Sequence, residues 1–338
     1  MKAIVQSAYG DPDEVLSLQE IDRPTLGDDQ VLVKVHATSV HPDIWHVVAG
    51  RPYVLRLMGA GLRKPKNPVP GTDAAGVVEA IGKDVTRFSE GDEVFGEVVE
   101  GFQWMNGGTF AEYVASNESA LELKPPNITM EQAATVPTSG LIALINLDKE
   151  GQIEEGHRVL INGAGGGVGT LAVQIAKALG GTVTAVDSAE KLEMLQSLGA
   201  ESVIDYRAED FTQGDIRYDL ILDIASTLTL TDARRALTPE GIYVRIGHEH
   251  FGDAGTGAWL GSLPGFFKLI AQSTYTTNLP KLDFDMDITG RLDFLRGLIA
   301  EGKITPVVAR TFPLGEVREA MRYMKEGKAL GRIVISLS

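Results

Sequence analysis

Val159-Leu160-Ile161-Asn162-Gly163-Ala164-Gly165-Gly166-Gly167-Val168-Gly169 decides how this chain folds. An apolar strand breaks into five glycines and one alanine and then opens a helix. Val168, Leu171, Ala172, Ile175, Ala176 and Leu179 recur at helical spacing, and Gly180-Gly181 ends the run. A second strand, Val183-Thr184-Ala185-Val186, closes on Asp187. Strand, glycine turn, helix, strand and terminal acid together predict a dinucleotide-binding βαβ unit. A glycine turn before a helix also arises for packing alone. Here the acid lies about 20 residues past the turn, where a carboxylate reaches ribose hydroxyls. Backbone amides at the helix start, those of Gly166, Gly167 and Val168, are placed to meet a pyrophosphate, and Gly165 lets the turn pass close to it. The turn reads Ala164-x-Gly166-x-x-Gly169, with alanine in place of the first fingerprint glycine.

The rest of the chain surrounds this unit. Up to residue 125 it reads as short strands and turns, among them Val31 to Ala37, Pro70 to Gly82, Phe88 to Gly96 and Gly107 to Val114. That spacing predicts a partly open barrel. Pro125-Pro126 marks a boundary, and from Thr129 strand and helix alternate to about residue 250. Third, fourth and fifth strands are predicted at 202–206, 218–224 and 241–247. Residues 250–287 read as irregular, a lid or interface segment. Leu292, Leu295, Leu298 and Ile299 predict a helix over 289–302, and Gly331-Arg332-Ile333-Val334-Ile335 a closing strand. The fold class predicted is α/β.

Composition removes several classes of function. A chain of 338 residues is long enough for two domains with substantial cores. It contains no cysteine, which excludes disulfides, thiolate metal sites and cysteine nucleophiles and leaves the cytoplasm as the expected compartment. Lys plus Arg number 31 and Asp plus Glu 46, a net charge of −15. Such a surface repels nucleic acid and anionic membrane, so neither is expected as a partner. A solvated acidic face accounts for the charge. The amino terminus, Met1-Lys2-Ala3-Ile4-Val5, reads as a first strand rather than a signal peptide.

The ordered segments Ala37 to Asp43, Gly71 to Val78, Gly108 to Tyr113, Val136 to Leu141, Gly163 to Lys177, Leu198 to Tyr206 and Gly331 to Val334 resemble the medium-chain dehydrogenase/reductase superfamily. The likeness is greatest to its zinc-free quinone oxidoreductase (zeta-crystallin-like) branch and covers nearly the whole chain. It implies a GroES-like, partly open β-barrel catalytic domain over 1–125. A Rossmann doubly wound parallel-sheet cofactor domain would follow over 126–285, with 286–338 completing the first domain. It also implies NAD(H) or NADP(H), a small quinone or enone substrate, and a homodimer. Zinc-dependent members place cysteine, histidine and cysteine on their catalytic metal. The corresponding positions here are His41, Thr72 and Thr135, which do not make a zinc site, so no metal is expected.

The resemblance then assigns candidates. The branch usually carries asparagine where this chain has His41. A histidine there either hydrogen-bonds as a neutral ring or protonates a developing enolate. Tyr53 is the second candidate donor to a carbonyl oxygen. Asp43 is read as capping the next helical turn in preference to direct chemistry. His46 and Trp45 fall where relatives line the substrate cleft, although Trp45 suits packing better. Thr138, Ala225, Gly247 and His248 are expected near the cofactor. A loop histidine such as His248 or His250 is more often simply solvated. Asp187, Lys191, Tyr206 and Arg207 surround the expected adenosine end. Asp187 would repel a 2′-phosphate, favouring NAD(H), whereas Lys191 and Arg207 could hold one; the balance tips slightly to NAD(H). Two other functions stay open. Arg51, Arg56, Arg63, Lys64 and Lys66 would suit the carrier phosphate of an enoyl-thioester reductase, though a solvated loop explains them as well. The third is a non-catalytic nucleotide-binding redox sensor.

Overall fold

A five-stranded parallel sheet forms around the quoted stretch, in the order Ser202–Asp205, Thr182–Asp187, Arg158–Asn162, Tyr218–Asp223, Leu237–Arg245. The computed structural model describes residues 1–54, 56–99, 105–247, 259–261, 263–281 and 290–337. The helix Gly167–Ala178 follows the first strand of this sheet and buries Leu171, Ala172, Ile175 and Ala176. The turn between them depends on its glycines. Gly163 holds φ at 85°, in the left-handed region that a side chain disfavours. A Cβ on Gly169 would lie 2.4 Å from the Gly163 carbonyl oxygen, so only glycine lets the helix pack this tightly on the strand.

A second sheet of seven strands forms the barrel. Its central strand, Gln30–Val40, pairs antiparallel with Asp73–Ile81, with Tyr113–Asn117 and with the closing strand Arg332–Ser336. Asp73–Ile81 pairs in turn with Glu93–Glu97. The strand expected over Gly107 to Val114 forms only from Tyr113 onward. Before it, the amides of Gly107 and Phe110 bond the carbonyls of Gly71 and Pro70 instead of a ladder. The helix Pro42–Ala49 opens on proline directly after the central strand. The helix Met130–Ala134 starts with a capping box between Thr129 and Gln132.

The segment read as irregular contains a helix, Leu263–Ser273. Pro264 and Gly265 stand at its start and look like breakers in the sequence. Proline is tolerated in a first turn, where its missing N–H has no partner to lose. Leu269 packs against the cluster of Leu160, Ile221 and Tyr243 on one side of the parallel sheet.

One apolar cluster spans both units. Ala37, Ala75 and Phe95 of the barrel pack with Leu141, Leu144, Val159, Leu171 and Ile175 of the nucleotide-binding half. At the same seam the closing strand reaches the glycine turn. The Gly331 amide bonds the Gly165 carbonyl at 2.9 Å, and Gly166 and Gly331 form a parallel bridge. The start of the nucleotide-binding helix therefore abuts the barrel.

Candidate functional site

Asp187 ends its strand as expected, but its carboxylate turns inward. One oxygen accepts the Gly165 amide at 2.7 Å and the other the Ser188 amide at 2.8 Å. Lys191, one helical turn on, stands 3.4 Å from the same group. The acid thus clamps the glycine turn and takes a cation beside it. Arg207 pairs with Glu190 at 3.3 Å and lies over the Tyr206 ring. A cavity of about 460 Å³ opens beside these residues, lined by Gly163, Asp187, Tyr206, Glu209, Asp210 and Ala225 among others. Gly247 packs closely on the neighbouring strand end: a Cβ there would meet the Ile224 carbonyl at 2.0 Å. His248 and His250 lie outside the described residues.

At the other end of the turn, the side chains of Arg332 and Ser139 lie against Gly167. A Cβ placed on Gly167 would lie 2.9 Å from Arg332 Cδ and 3.4 Å from Ser139 Oγ. Ser139 Oγ and Arg332 Nη2 have no hydrogen-bond partner among the described residues. A buried guanidinium set against the positive end of a helix is unfavourable unless an anion joins them. The arrangement fits a dinucleotide. The strand-end cavity would take the adenosine, and Arg332, Ser139 and the amides of Gly166 to Val168 would take the pyrophosphate.

Arg332 is anchored from below. Its Nε donates to Ser39 Oγ at 3.2 Å, and its Nη2 stands 3.5 Å from Asp73. Burial holds the guanidinium below its usual value, while Asp73, Asp43 and Glu97 pull the other way. Asp73 also accepts from Ser39 Oγ, from the Thr138 amide at 2.9 Å and from Thr138 Oγ1 at 2.7 Å. Thr138 Oγ1 reaches Glu97 at 2.9 Å. Burial first, then the like charge of Asp73, push Glu97 up from 4.5 to about 7; the Thr138 hydroxyl and Arg332 oppose this.

His41 closes the cluster. Its Nε2 is 2.9 Å from Thr72 Oγ1, and its ring is 2% exposed. Nδ1 lies 3.4 Å from Asp43 and has no hydrogen-bond partner among the described residues. Asp43 does not cap its helix. His41 holds the N-cap position without a side-chain bond, and Asp43 sits inside the first turn, where its negative charge suits the helix dipole.

The other candidates are scattered. Trp45 is buried in an apolar cluster with Ile44, Val48 and Phe312, which supports the packing reading. His46 is buried too, and its Nδ1 bonds the Arg51 carbonyl at 3.0 Å. Tyr53 meets Trp259 edge-on at 5.3 Å, and the Arg56 guanidinium lies 4.7 Å over its ring. Arg56 also bonds the Gly50 carbonyl, so it braces its own segment, while Arg63, Lys64 and Lys66 are exposed. Thr135 gives its hydroxyl to the Gln132 carbonyl. An imidazole, a hydroxyl bonded to that imidazole and a hydroxyl spent on backbone do not fit a catalytic zinc.

Arg332, Ser139, Asp73 and Glu97 were not singled out from the sequence as site residues. The signal for the last two is their register. They stand directly opposite in neighbouring strands, where like charges destabilise a sheet.

Comparison with known proteins agrees with this architecture. The description "Alcohol dehydrogenase GroES-like domain" matches residues 27–126, and "Zinc-binding dehydrogenase" matches residues 198–335. An NADPH-dependent alkenal/one oxidoreductase of Arabidopsis thaliana is 33% identical over 99% of this chain and 79% of its own length. A chloroplastic quinone oxidoreductase of Triphysaria versicolor is 31% identical over 99% and 98%. The chain belongs to the medium-chain dehydrogenase/reductase superfamily, in its quinone oxidoreductase branch. Among solved structures, a quinone oxidoreductase from Coxiella burnetii superposes with a TM-score of 0.82 at 29% identity, covering 100% of this chain and 99% of that one. As a member of this superfamily the chain combines a GroES-like barrel with a Rossmann-like parallel sheet. No helix among the described residues is long and apolar enough to cross a membrane.

Proposed function

We propose that this reductase uses NAD(P)H, without zinc, to reduce quinones or α,β-unsaturated carbonyls. The relatives named above act on such compounds by their names. The observation that carries the reading here is the His41–Thr72 pair. It occupies positions where zinc-dependent relatives hold their metal and supplies hydrogen-bond donors instead of a Lewis acid. When bound, the reduced nicotinamide supplies the hydride. Thr72 fixes the His41 ring through Nε2 and leaves Nδ1 for a developing oxyanion, where one donor is worth on the order of a hundredfold in rate. Thr138 and Arg332 lie at the base of the cofactor site, and burial keeps competing water away from it. Tyr53, on the segment held by Trp259, is the second donor we propose.

The preference we propose is for NAD(H). Three carboxylates, Asp187, Glu209 and Asp210, line the adenosine cavity, and Lys191 and Arg207 are each already paired with an acid. A 2′-phosphate entering there meets more negative than uncommitted positive charge. We further propose a cytoplasmic homodimer. Its supports are the cysteine-free chain and the parallel-sheet strand Leu237–Arg245, which ends the described sheet.

The test is a panel of quinones, enones and enoyl thioesters assayed with both reduced nucleotides, before and after chelation. Turnover of quinones or enones that survives chelation supports the reading. Nucleotide binding without reduction of any member selects the redox-sensor reading. Activity lost with stoichiometric zinc and restored by its return would overturn the metal-free mechanism.

A further inference from the structure

Asp73 and Glu97 are treated differently by their surroundings. Asp73 is fully buried and receives Arg332, Ser39 and both the amide and the hydroxyl of Thr138. Glu97 receives the Thr138 hydroxyl. That hydroxyl is also 3.4 Å from Thr72 Oγ1, which is 2.9 Å from His41 Nε2. A continuous file therefore runs from the Glu97 carboxyl through two hydroxyls to the imidazole. Its donor and acceptor roles are consistent when Glu97 carries a proton and the single Thr138 hydroxyl hydrogen turns from Asp73, 2.7 Å away, to Thr72. Glu97 then donates to Thr138, Thr138 to Thr72, and Thr72 to Nε2, leaving the ring hydrogen on Nδ1 beside Asp43.

Exposure gives the file a direction. Thr138 is 1% exposed, Thr72 4% and His41 2%, whereas Glu97 is partly exposed. Once a substrate covers the His41 ring, the route between that ring and solvent protons leads through Glu97. We infer that Glu97 is the proton reservoir of the site and feeds His41 through the hydroxyls of Thr138 and Thr72. The inference rests on the reductase reading above. Glu97 touches no reacting atom and acts as a positioning residue.

The proton transfers balance. The substrate oxygen, carrying the electron pair left by reduction, takes the proton from His41 Nδ1. The Thr72 O–H bond breaks as Nε2–H forms. Thr72 is refilled by Thr138, and Thr138 by Glu97. Glu97 is left as a carboxylate and regains its proton from water. One solvent proton is consumed per hydride delivered. The charged and titratable groups facing Glu97 are Asp73 on the paired strand, Asp43 on the helix Pro42–Ala49, and Arg332 on the closing strand. Burial and Asp73 hold the Glu97 carboxyl at about 7, so it both loads and empties near neutrality.

The experiment compares wild type with Glu97→Gln, Thr72→Val and Thr72→Ser, reading kcat against pH in water and in deuterium oxide. Wild-type kcat should fall as pH rises through about 7. Glu97→Gln should be flat, about tenfold below wild type at acid pH and equal to it at alkaline pH. Thr72→Val should behave like Glu97→Gln, and Thr72→Ser should restore the slope and the solvent isotope effect. A readout without turnover comes from infrared spectroscopy of the nucleotide-free protein. A protonated-carboxyl band should vanish on alkalinisation and be missing from Glu97→Gln. A wild-type pH profile in Glu97→Gln, or an unchanged carboxyl band, overturns the reservoir and leaves the reductase reading standing. A wild-type protein that reduces neither quinones nor enones overturns that reading, and the reservoir with it.

Discussion

Replacing Glu97 by glutamine should make the protein more stable at alkaline pH and leave it nearly unchanged at acid pH. The carboxyl is raised from 4.5 to about 7, chiefly by burial and by Asp73 opposite it. A raised acid binds its proton more tightly in the folded state than in the unfolded one. Its contribution to stability is therefore complete below the unfolded value and is lost as pH climbs through the folded value. A rise of this size corresponds to roughly 3 kcal/mol between the two protonation states. Because Glu97 is partly exposed, solvent screening reduces the expected effect to about 2 kcal/mol. Glutamine keeps the shape and a hydrogen-bonding oxygen for Thr138 but never ionises. Urea unfolding of both proteins at about pH 5 and about pH 8.5 reads the difference directly. The repulsion arising from the net charge of −15 changes with pH in both proteins alike, so it cancels in the comparison. A stability difference that stays constant across this range would falsify the claim that Glu97 is buried against a like charge.

His41→Ala should lower turnover on the order of a hundredfold with little change in nucleotide affinity. His41→Asn, which restores the usual residue of the branch, should keep much of the activity. Tyr53→Phe should likewise reduce turnover, and full activity in both His41→Ala and Tyr53→Phe removes these residues from the mechanism. Arg332→Lys should weaken nucleotide binding roughly tenfold or more, as expected when a charge-assisted bond to phosphate is lost, and nucleotide titration by intrinsic fluorescence measures it. An unchanged dissociation constant would mean that Arg332 serves Asp73 alone. Asp187→Ser should raise the preference for NADP(H) over NAD(H) and, by releasing the Gly165 amide, reduce stability by about 1 kcal/mol. If the ratio of specificities stays fixed while stability falls, Asp187 only clamps the turn.

The nucleotide-binding unit was legible in the sequence because its information is local. Helical spacing, glycine positions and the terminal acid lie within Val159 to Asp187, and backbone geometry alone connects them. The helix after Pro42 was legible for the same reason. The helix Leu263–Ser273 was not, since Pro264 and Gly265 mask a periodicity that packing against the parallel sheet supports. Asp187 was correctly placed at its strand end, but its inward rotation depends on the Gly165 amide across the turn. His41, Thr72 and Thr138 were named from the sequence, but the cluster they form with Asp73, Glu97 and Arg332 was not legible there. Arg332 meets Ser39 across 293 positions of chain, and Asp73 meets Glu97 only through the strand register. Local periodicity says which residues form a strand or a helix. Which charges share a buried space, and so which carboxyl keeps its proton, is set by long-range pairing and desolvation, and only the tertiary structure determines those.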